Sequence, residues 1–366
     1  MVRHRVVSGQ TKRIYMDFKM NKKFLAVAIA ASTFAAQAVA VELYNNDGTT
    51  FSMGGHVSVN LNGSESGNTD VGTNSPRINF TATQDLGNGF EVDARGEYAL
   101  NYLTNGGNAM TTRLGYVGLT HEELGRTVVG TQWAPFYDVA GATDMPIAFA
   151  NDFLYNDYTD GLSFAKTGQT RADNMVSYRN GFDFAEAGAL NVGVAWQGAF
   201  DVKNDQEVVT AKYSDRVQVA LGYSIMGANL GYAYSTGDIE ESGSKGSLDI
   251  HALSASYGSY GNGLYLAGVY QMTEDKKVMQ EELDSYELLA AYALPNSLNF
   301  SINYEVEEYK DVQSKETGKE REEMALQVEY NFASNIVGYT GYQFDLLSGD
   351  GYKSDDKWVI GARFYL

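Results

Sequence analysis

Apolar and polar residues alternate along this chain, one after the other, in nearly every stretch that could form a strand. Phe51, Met53, Gly55, Val57, Val59 and Leu61 fall on one side of the first such stretch, and Ser52, Gly54, His56, Ser58 and Asn60 on the other. At the far end Trp358, Ile360, Ala362, Phe364 and Leu366 alternate with Lys357, Val359, Gly361, Arg363 and Tyr365. Successive side chains on a strand point to opposite faces, so each stretch predicts a strand with one apolar and one wet face. The pattern alone leaves open which face is inside.

The stretch Phe90 to Tyr102 narrows the choice. Its Glu91, Asp93, Arg95 and Glu97 share one face, and four charged groups cannot sit in the dry core of a sandwich. They suit a water-filled lumen, with the apolar face turned out to lipid. Similar segments, among them Leu190 to Trp196, Val217 to Tyr223, Leu264 to Tyr270, Leu298 to Val306 and Met324 to Tyr330, tile the chain with turn residues between them. Only four prolines interrupt 366 residues, which suits long paired strands, and 26 tyrosines suit an interfacial aromatic girdle. There is no cysteine, so disulfides, thiolate nucleophiles and cysteine-ligated metals are excluded together.

The beginning of the chain reads differently. Met20 to Ala40 carries Lys22 and Lys23, an apolar run from Phe24 to Ala36 broken only by Ser32 and Thr33, then Ala38-Val39-Ala40. That is the layout of a secretory signal peptide, cleaved near Ala40/Val41, and the run is short of the ~20 residues of a spanning helix. Residues 1–19 read as an upstream extension, 20–40 as the signal peptide, and 41–366 as one β-barrel domain. No later stretch has enough consecutive apolar residues for a transmembrane helix, so if the chain enters a membrane it must do so as a closed barrel. The 326 residues from Val41 onward, at roughly 20 per strand and connection, predict an all-β, antiparallel transmembrane β-barrel of about 16 strands.

Charge adds an exclusion. Setting aside the seven Lys and Arg and the one Asp of residues 1–40 leaves a net charge of −25, which argues against nucleic acid as a partner. Much of the negative charge lies in runs such as Glu281 to Asp284 and Glu307 to Glu323, expected here as solvated loops. Between Gln132 and Thr170 the alternation lapses, while aromatics accumulate: Trp133, Phe136, Tyr137, Phe149, Phe153, Tyr155 and Tyr158. A loop this long inside a compact domain is generally functional, and in a barrel an aromatic-rich loop folding inward would narrow the bore.

The sequence at this point resembles the trimeric 16-stranded porins of Gram-negative outer membranes, particularly those of marine gammaproteobacteria. VELYNNDGTTFSMGG, YDVAGATDMP, RADNMVSYRNG and the closing aromatic strand carry the resemblance, with Arg171 seven residues before Tyr178-Arg179-Asn180. It implies a diffusion channel for ions and small hydrophilic solutes, an inward-folded third loop, a homotrimer, and an outer-membrane setting of lipid and lipopolysaccharide. It also implies a constriction with basic Arg77, Arg113, Arg171 and His56 on the wall against Asp144 and Asp152 of the loop. Alternation independently puts Arg77 on the polar face with Asn79 and Thr81. His56, in place of a permanently charged group, makes its position pH-sensitive around the ordinary value of about 6.5.

Two departures matter. Pro146-Ile147-Ala148-Phe149-Ala150-Asn151-Asp152 replaces the enteric motif P-E-F-G-G-D, so the constriction glutamate has no counterpart, and the chain closes on Leu366 where the family usually has Phe. The loop region is also similar to that of chitoporins, which makes Trp133, Tyr137 and Phe149 candidates for stacking on oligosaccharides. The alternative is that these rings anchor the loop. An enzyme is not expected: His56, His121 and His251 show no ligand spacing, Ser254 and Ser256 near His251 lie in no nucleophile motif, and no carboxylate pair stands out. No catalytic residue, metal or cofactor is expected. A secreted lectin-like β protein is disfavoured by the charged face of the Phe90 strand.

Overall fold

The computed structural model describes residues 40–103, 109–150, 167–204, 206–241, 243–275, 281–311, 314–349 and 352–366. The expected upstream extension, and the signal peptide except Ala40, lie outside the described residues, as do Asp152, Phe153, Tyr155 and Tyr158. In chain order the first strands are β1 (Val41–Asn46), β2 (Thr49–Ser64), β3 (Asp70–Gly72), β4 (Arg77–Gly87), β5 (Phe90–Leu100), β6 (Met110–His121) and β7 (Gly125–Trp133). Then come β8 (Arg171–Asp183), β9 (Ala189–Gln197), β10 (Phe200–Lys203), β11 (Val209–Ile225), β12 (Ala228–Glu241) and β13 (Ser244–Ser259). The last are β14 (Asn262–Asp275), β15 (Glu281–Ala293), β16 (Leu298–Asp311), β17 (Thr317–Ala333), β18 (Ile336–Asp345) and β19 (Lys357–Tyr365).

Sixteen of these strands form a closed antiparallel barrel. Each long strand pairs with the next, β2 passes to β4 and β9 to β11, and β19 returns to β2 with Tyr365 opposite His56 and Lys357 opposite Ser64. Short β1 and β3 lie alongside β2, and β10 alongside β11. Closure leaves no open sheet edge around the ring, which is what lipid requires of a spanning sheet.

Exposure settles which face is which. On β2, Val59 is 54% exposed while Ser58 is 2% and His56 5%. On β11, Val217, Val219 and Leu221 face out, whereas Arg216 and Gln218 are buried. The wall is therefore apolar outside and polar within, the reverse of a soluble sandwich. Outward-facing tyrosines are tied to carboxylates: Tyr304 Oη donates to Glu322 Oε1 at 2.7 Å and Tyr342 Oη to Asp356 Oδ2 at 2.9 Å. An aromatic ring with its hydroxyl in a polar layer matches the edge of a membrane.

The charge runs are corrected by the structure. Glu307 to Asp311 belongs to β16 and Thr317 to Glu323 to β17, and Glu282 and Asp284 lie within β15. Glu305 and Glu307 turn into the lumen and are buried, Glu307 accepting from Ser285 Oγ at 2.9 Å. A lumen-facing carboxylate and a loop carboxylate look alike in sequence, because both meet water.

The described part of the long connection between β7 and β8, residues 134–150 and 167–170, folds against the inner wall. A short helix, Tyr137–Ala140, packs on β11, β12, β13 and β14, burying Phe136, Val139 and Ala140 against Met175, Ala220, Ala233 and Ala252. Small wall residues make room for it. A Cβ at Gly231 would lie 2.9 Å from Val139 Cγ1, so Gly231→Val should lift the helix and cost roughly 1–3 kcal/mol of stability by overpacking. A folded-to-unfolded gel-shift temperature equal to the parent's would contradict this packing.

Candidate functional site

Three adjacent strands bring three arginines to one carboxylate. Arg77 opens β4, Arg95 lies in β5 and Arg113 in β6, and Glu97 of β5 sits among them. Arg95 Nη2 is 2.8 Å from Glu97 Oε2, Arg113 Nε 3.0 Å and Arg77 Nη1 3.8 Å from Oε1. Ser75 adds a second support, its carbonyl accepting from Arg77 Nε at 3.1 Å and its hydroxyl from Arg77 Nη2 at 2.9 Å and Arg113 Nη1 at 3.3 Å. The glutamate side chain is 4% exposed, while those of Arg77 and Arg95 remain 24% and 30% exposed. One shielded anion thus holds three cations whose excess positive charge faces the bore.

The basic sector continues on both sides. Arg126 of β7 grips Asp93 with a two-pronged contact of 2.6 and 3.0 Å, the strong geometry for a guanidinium and a carboxylate. Arg363 of β19 donates to Asn74 Oδ1 at 2.7 Å, and the Asn74 amide in turn donates to Ile147 O of the loop. His56 lies opposite Arg77 on one side of β2 and Tyr365 on the other, its ring edge-on to Tyr365 at 5.6 Å. Arg171 stands two strands beyond Arg113, at the head of β8, where it faces Trp133 across the ladder.

Acidic groups gather elsewhere on the ring. Glu287, Glu305 and Glu323 are direct cross-strand partners on β15, β16 and β17. Glu307 and Glu329 share that lumen face and are buried. Arg321 approaches Glu305 at 3.4 Å and Glu323 at 3.3 Å, and Lys357 approaches Glu323 at 3.5 Å. Like charges directly opposite are unfavourable on a sheet unless cations and donors intervene, and Arg321 and Lys357 supply the cations. Counting β17, β18, β19, β2 and β4 on the way, β16 and β5 are six strands apart around the circuit of sixteen.

The inward loop is tied to the wall by several groups. Arg179 Nε donates to Asp138 Oδ2 at 2.6 Å and its Nη2 to Trp133 O at 2.9 Å. Tyr265 Oη donates to Ala142 O at 2.7 Å, and Ile147 N to Glu329 Oε1 at 2.8 Å. Asp144 accepts from the Tyr137 hydroxyl. The aromatic candidates are part of this attachment: Trp133 stacks on Tyr137 at 4.4 Å, Tyr137 is 3% exposed, and Phe149 lies against Gly341. Asp138→Asn, which removes the charge facing Arg179, should weaken the loop's hold by roughly 1–3 kcal/mol. The expected readout is faster protease cleavage within the loop; unchanged cleavage would contradict it.

Arg95, Glu97, Arg126, Asp93 and the β15–β17 carboxylates were not singled out from the sequence as site residues. The signal was partly there, since Asp93, Arg95 and Glu97 share the charged face of the Phe90 strand. Among the described residues no group of three or more His, Asp or Glu side chains is arranged to hold a metal ion.

A closed barrel with an apolar exterior, a charged lumen and a loop folded into the bore is a channel of an outer membrane. The chain belongs to the Gram-negative porin family, whose model matches residues 25–350. It is 26% identical to the outer membrane protein YedS of Escherichia coli, with 94% of this chain and 99% of that protein covered. It is 29% identical to the outer membrane protein U of Vibrio parahaemolyticus, covering 90% and 92%. Its fold is similar to that of OmpF of Salmonella typhi, solved in complex with daunomycin, with a TM-score of 0.73, 21% identity and coverage of 89% and 100%. The protein forms a water-filled channel in the outer membrane for passive diffusion of ions and small hydrophilic solutes.

Proposed function

We propose that solutes are sorted by a bipolar constriction. Arg77, Arg95 and Arg113, with Arg171, form its basic side beside the buried His56, and Asp144 and the β15–β17 carboxylates its acidic side, to which the family resemblance adds Asp152. The observation that carries this reading is the convergence of three arginines on the shielded Glu97. Fixed charges of opposite sign on two sectors of a narrow wall create a transverse field without any moving part. Trp133, Tyr137 and Phe149 act in this reading as loop anchors, which favours a general diffusion pore over an oligosaccharide-selective one. The channel carries no catalytic step, and it assembles as a homotrimer surrounded by lipid and lipopolysaccharide; family membership supports both statements. Residues 20–40 serve as the cleaved signal peptide.

Arg113→Ala tests the assignment. It removes one lumen charge and should shift the reversal potential in a salt gradient toward cations. A reversal potential identical to the parent's would remove Arg113 from the constriction.

A further inference from the structure

Two glutamines hold the inward loop at points far apart on the wall. Gln218 of β11 is 2% exposed and faces the lumen, where its carboxamide meets both limbs of the loop. Its Oε1 accepts from Phe136 N at 3.3 Å, just after the loop leaves β7, and its Nε2 donates to Gly168 O at 2.6 Å, just before the loop enters β8. One side chain therefore joins residues that the chain separates by the whole loop. A backbone hydrogen bond from Ala134 N to Thr170 O at 2.8 Å closes the same junction.

Gly168 is built for this contact. Its φ is +70°, and a Cβ there would fall 2.6 Å from Gln218 Nε2 and 2.7 Å from Gln197 Oε1. Any side chain would displace the carboxamide as well as strain the backbone.

Gln327 of β17 repeats the device at the other end of the described part of the loop. Its Oε1 accepts from Phe149 N at 2.9 Å and its Nε2 donates to Phe149 O at 2.6 Å. A carboxamide that both accepts from and donates to one residue's backbone imitates the exchange between paired strands. Gln327 is itself steadied by Asn303 Oδ1 at 2.9 Å and is 4% exposed.

We propose that Gln218 and Gln327 are positioning residues that fix the segment from Phe136 to Phe149 as a taut strap, and so set the steadiness of the open pore. This rests on the reading of the loop as the constriction. Both clamps are uncharged amide pairs, so ionic strength does not screen them, unlike the Asp138–Arg179 contact. Buried and fully paired, they exchange poorly with water.

The test is single-channel recording in planar bilayers of the full-length protein and four variants. Gln218→Met and Gln327→Met keep the side-chain length and remove both bonds. Gln218→Glu and Gln327→Glu keep the acceptor and lose the donor. Each lost bond should raise the population of unclasped loop roughly fivefold. The Met variants should show increased open-channel noise and closure at lower voltage, with the same noise at low and high salt, and the Glu variants, which turn a carboxylate oxygen onto the carbonyl of Gly168 or Phe149, should be at least as noisy. Gel mobility before and after heating reports whether the barrel has folded; if a Met variant does not fold, the Glu variant at that position decides. Quiet variants with the parent's closing voltage would overturn the clamps while leaving the channel intact. Absence of channels in the parent itself would instead overturn the porin reading beneath them.

Discussion

Glu97→Gln is expected to make the channel more anion-selective, because it removes the one carboxylate shared by Arg77, Arg95 and Arg113. A unit charge about 8 Å from a permeating ion in a water-like dielectric is worth ~0.5 kcal/mol, a change of roughly twofold in the permeability ratio. The change should be larger at low salt, since ions at about 0.1 M screen charges beyond ~10 Å. The substitution also leaves three guanidinium groups without their common anion. Arg95 and Arg77 can swing further into the bore, so a second expected effect is smaller conductance for bulky cations. Reversal potentials measured across a salt gradient check the first effect. A ratio unchanged from the parent's would mean that the cluster lies outside the ion path.

Val219→Arg should damage the protein far more than any charge added in the lumen. Val219 is 40% exposed on the outer face of β11 and lies between Val217 and Leu221, which are exposed on the same face. An arginine facing lipid near mid-membrane costs roughly 2–4 kcal/mol. The same strand already carries Arg216 on its inner face, 2% exposed, with its Nη1 bonded to Ser235 Oγ and Leu248 O. The contrast between positions 216 and 219 is one of face alone. The urea midpoint for refolding into lipid vesicles is the measure; a midpoint equal to the parent's would mean that Val219 does not face lipid.

The wall of the barrel is legible in the sequence because its signal is local. Val57, Val59 and Leu61 against His56, Ser58 and Asn60 need only a period of two to be assigned to faces, and the faces appear as that period predicts. The lapse of alternation from Gln132 to Thr170 also matches the connection between the end of β7 at Trp133 and the start of β8 at Arg171. The site is less legible, because it depends on register between strands. Arg77, Arg95, Arg113 and Glu97 are scattered over 37 positions of sequence and meet only after β4, β5 and β6 are paired, with a break in register between Glu97 and Tyr98. The run from Glu307 to Glu323 misleads for another reason: hydropathy does not separate a carboxylate in the lumen from one in a loop. The helix Tyr137–Ala140 is too short to leave a periodic trace.

The most direct test of the central claim is the conductance of the purified, refolded protein in a planar bilayer as bulk salt is varied. A water-filled pore predicts discrete, ohmic steps whose size rises in proportion to the conductivity of the solution. Heat-modifiable, correctly folded protein that inserts without producing steps, or whose conductance saturates at low salt, would contradict a passive aqueous channel.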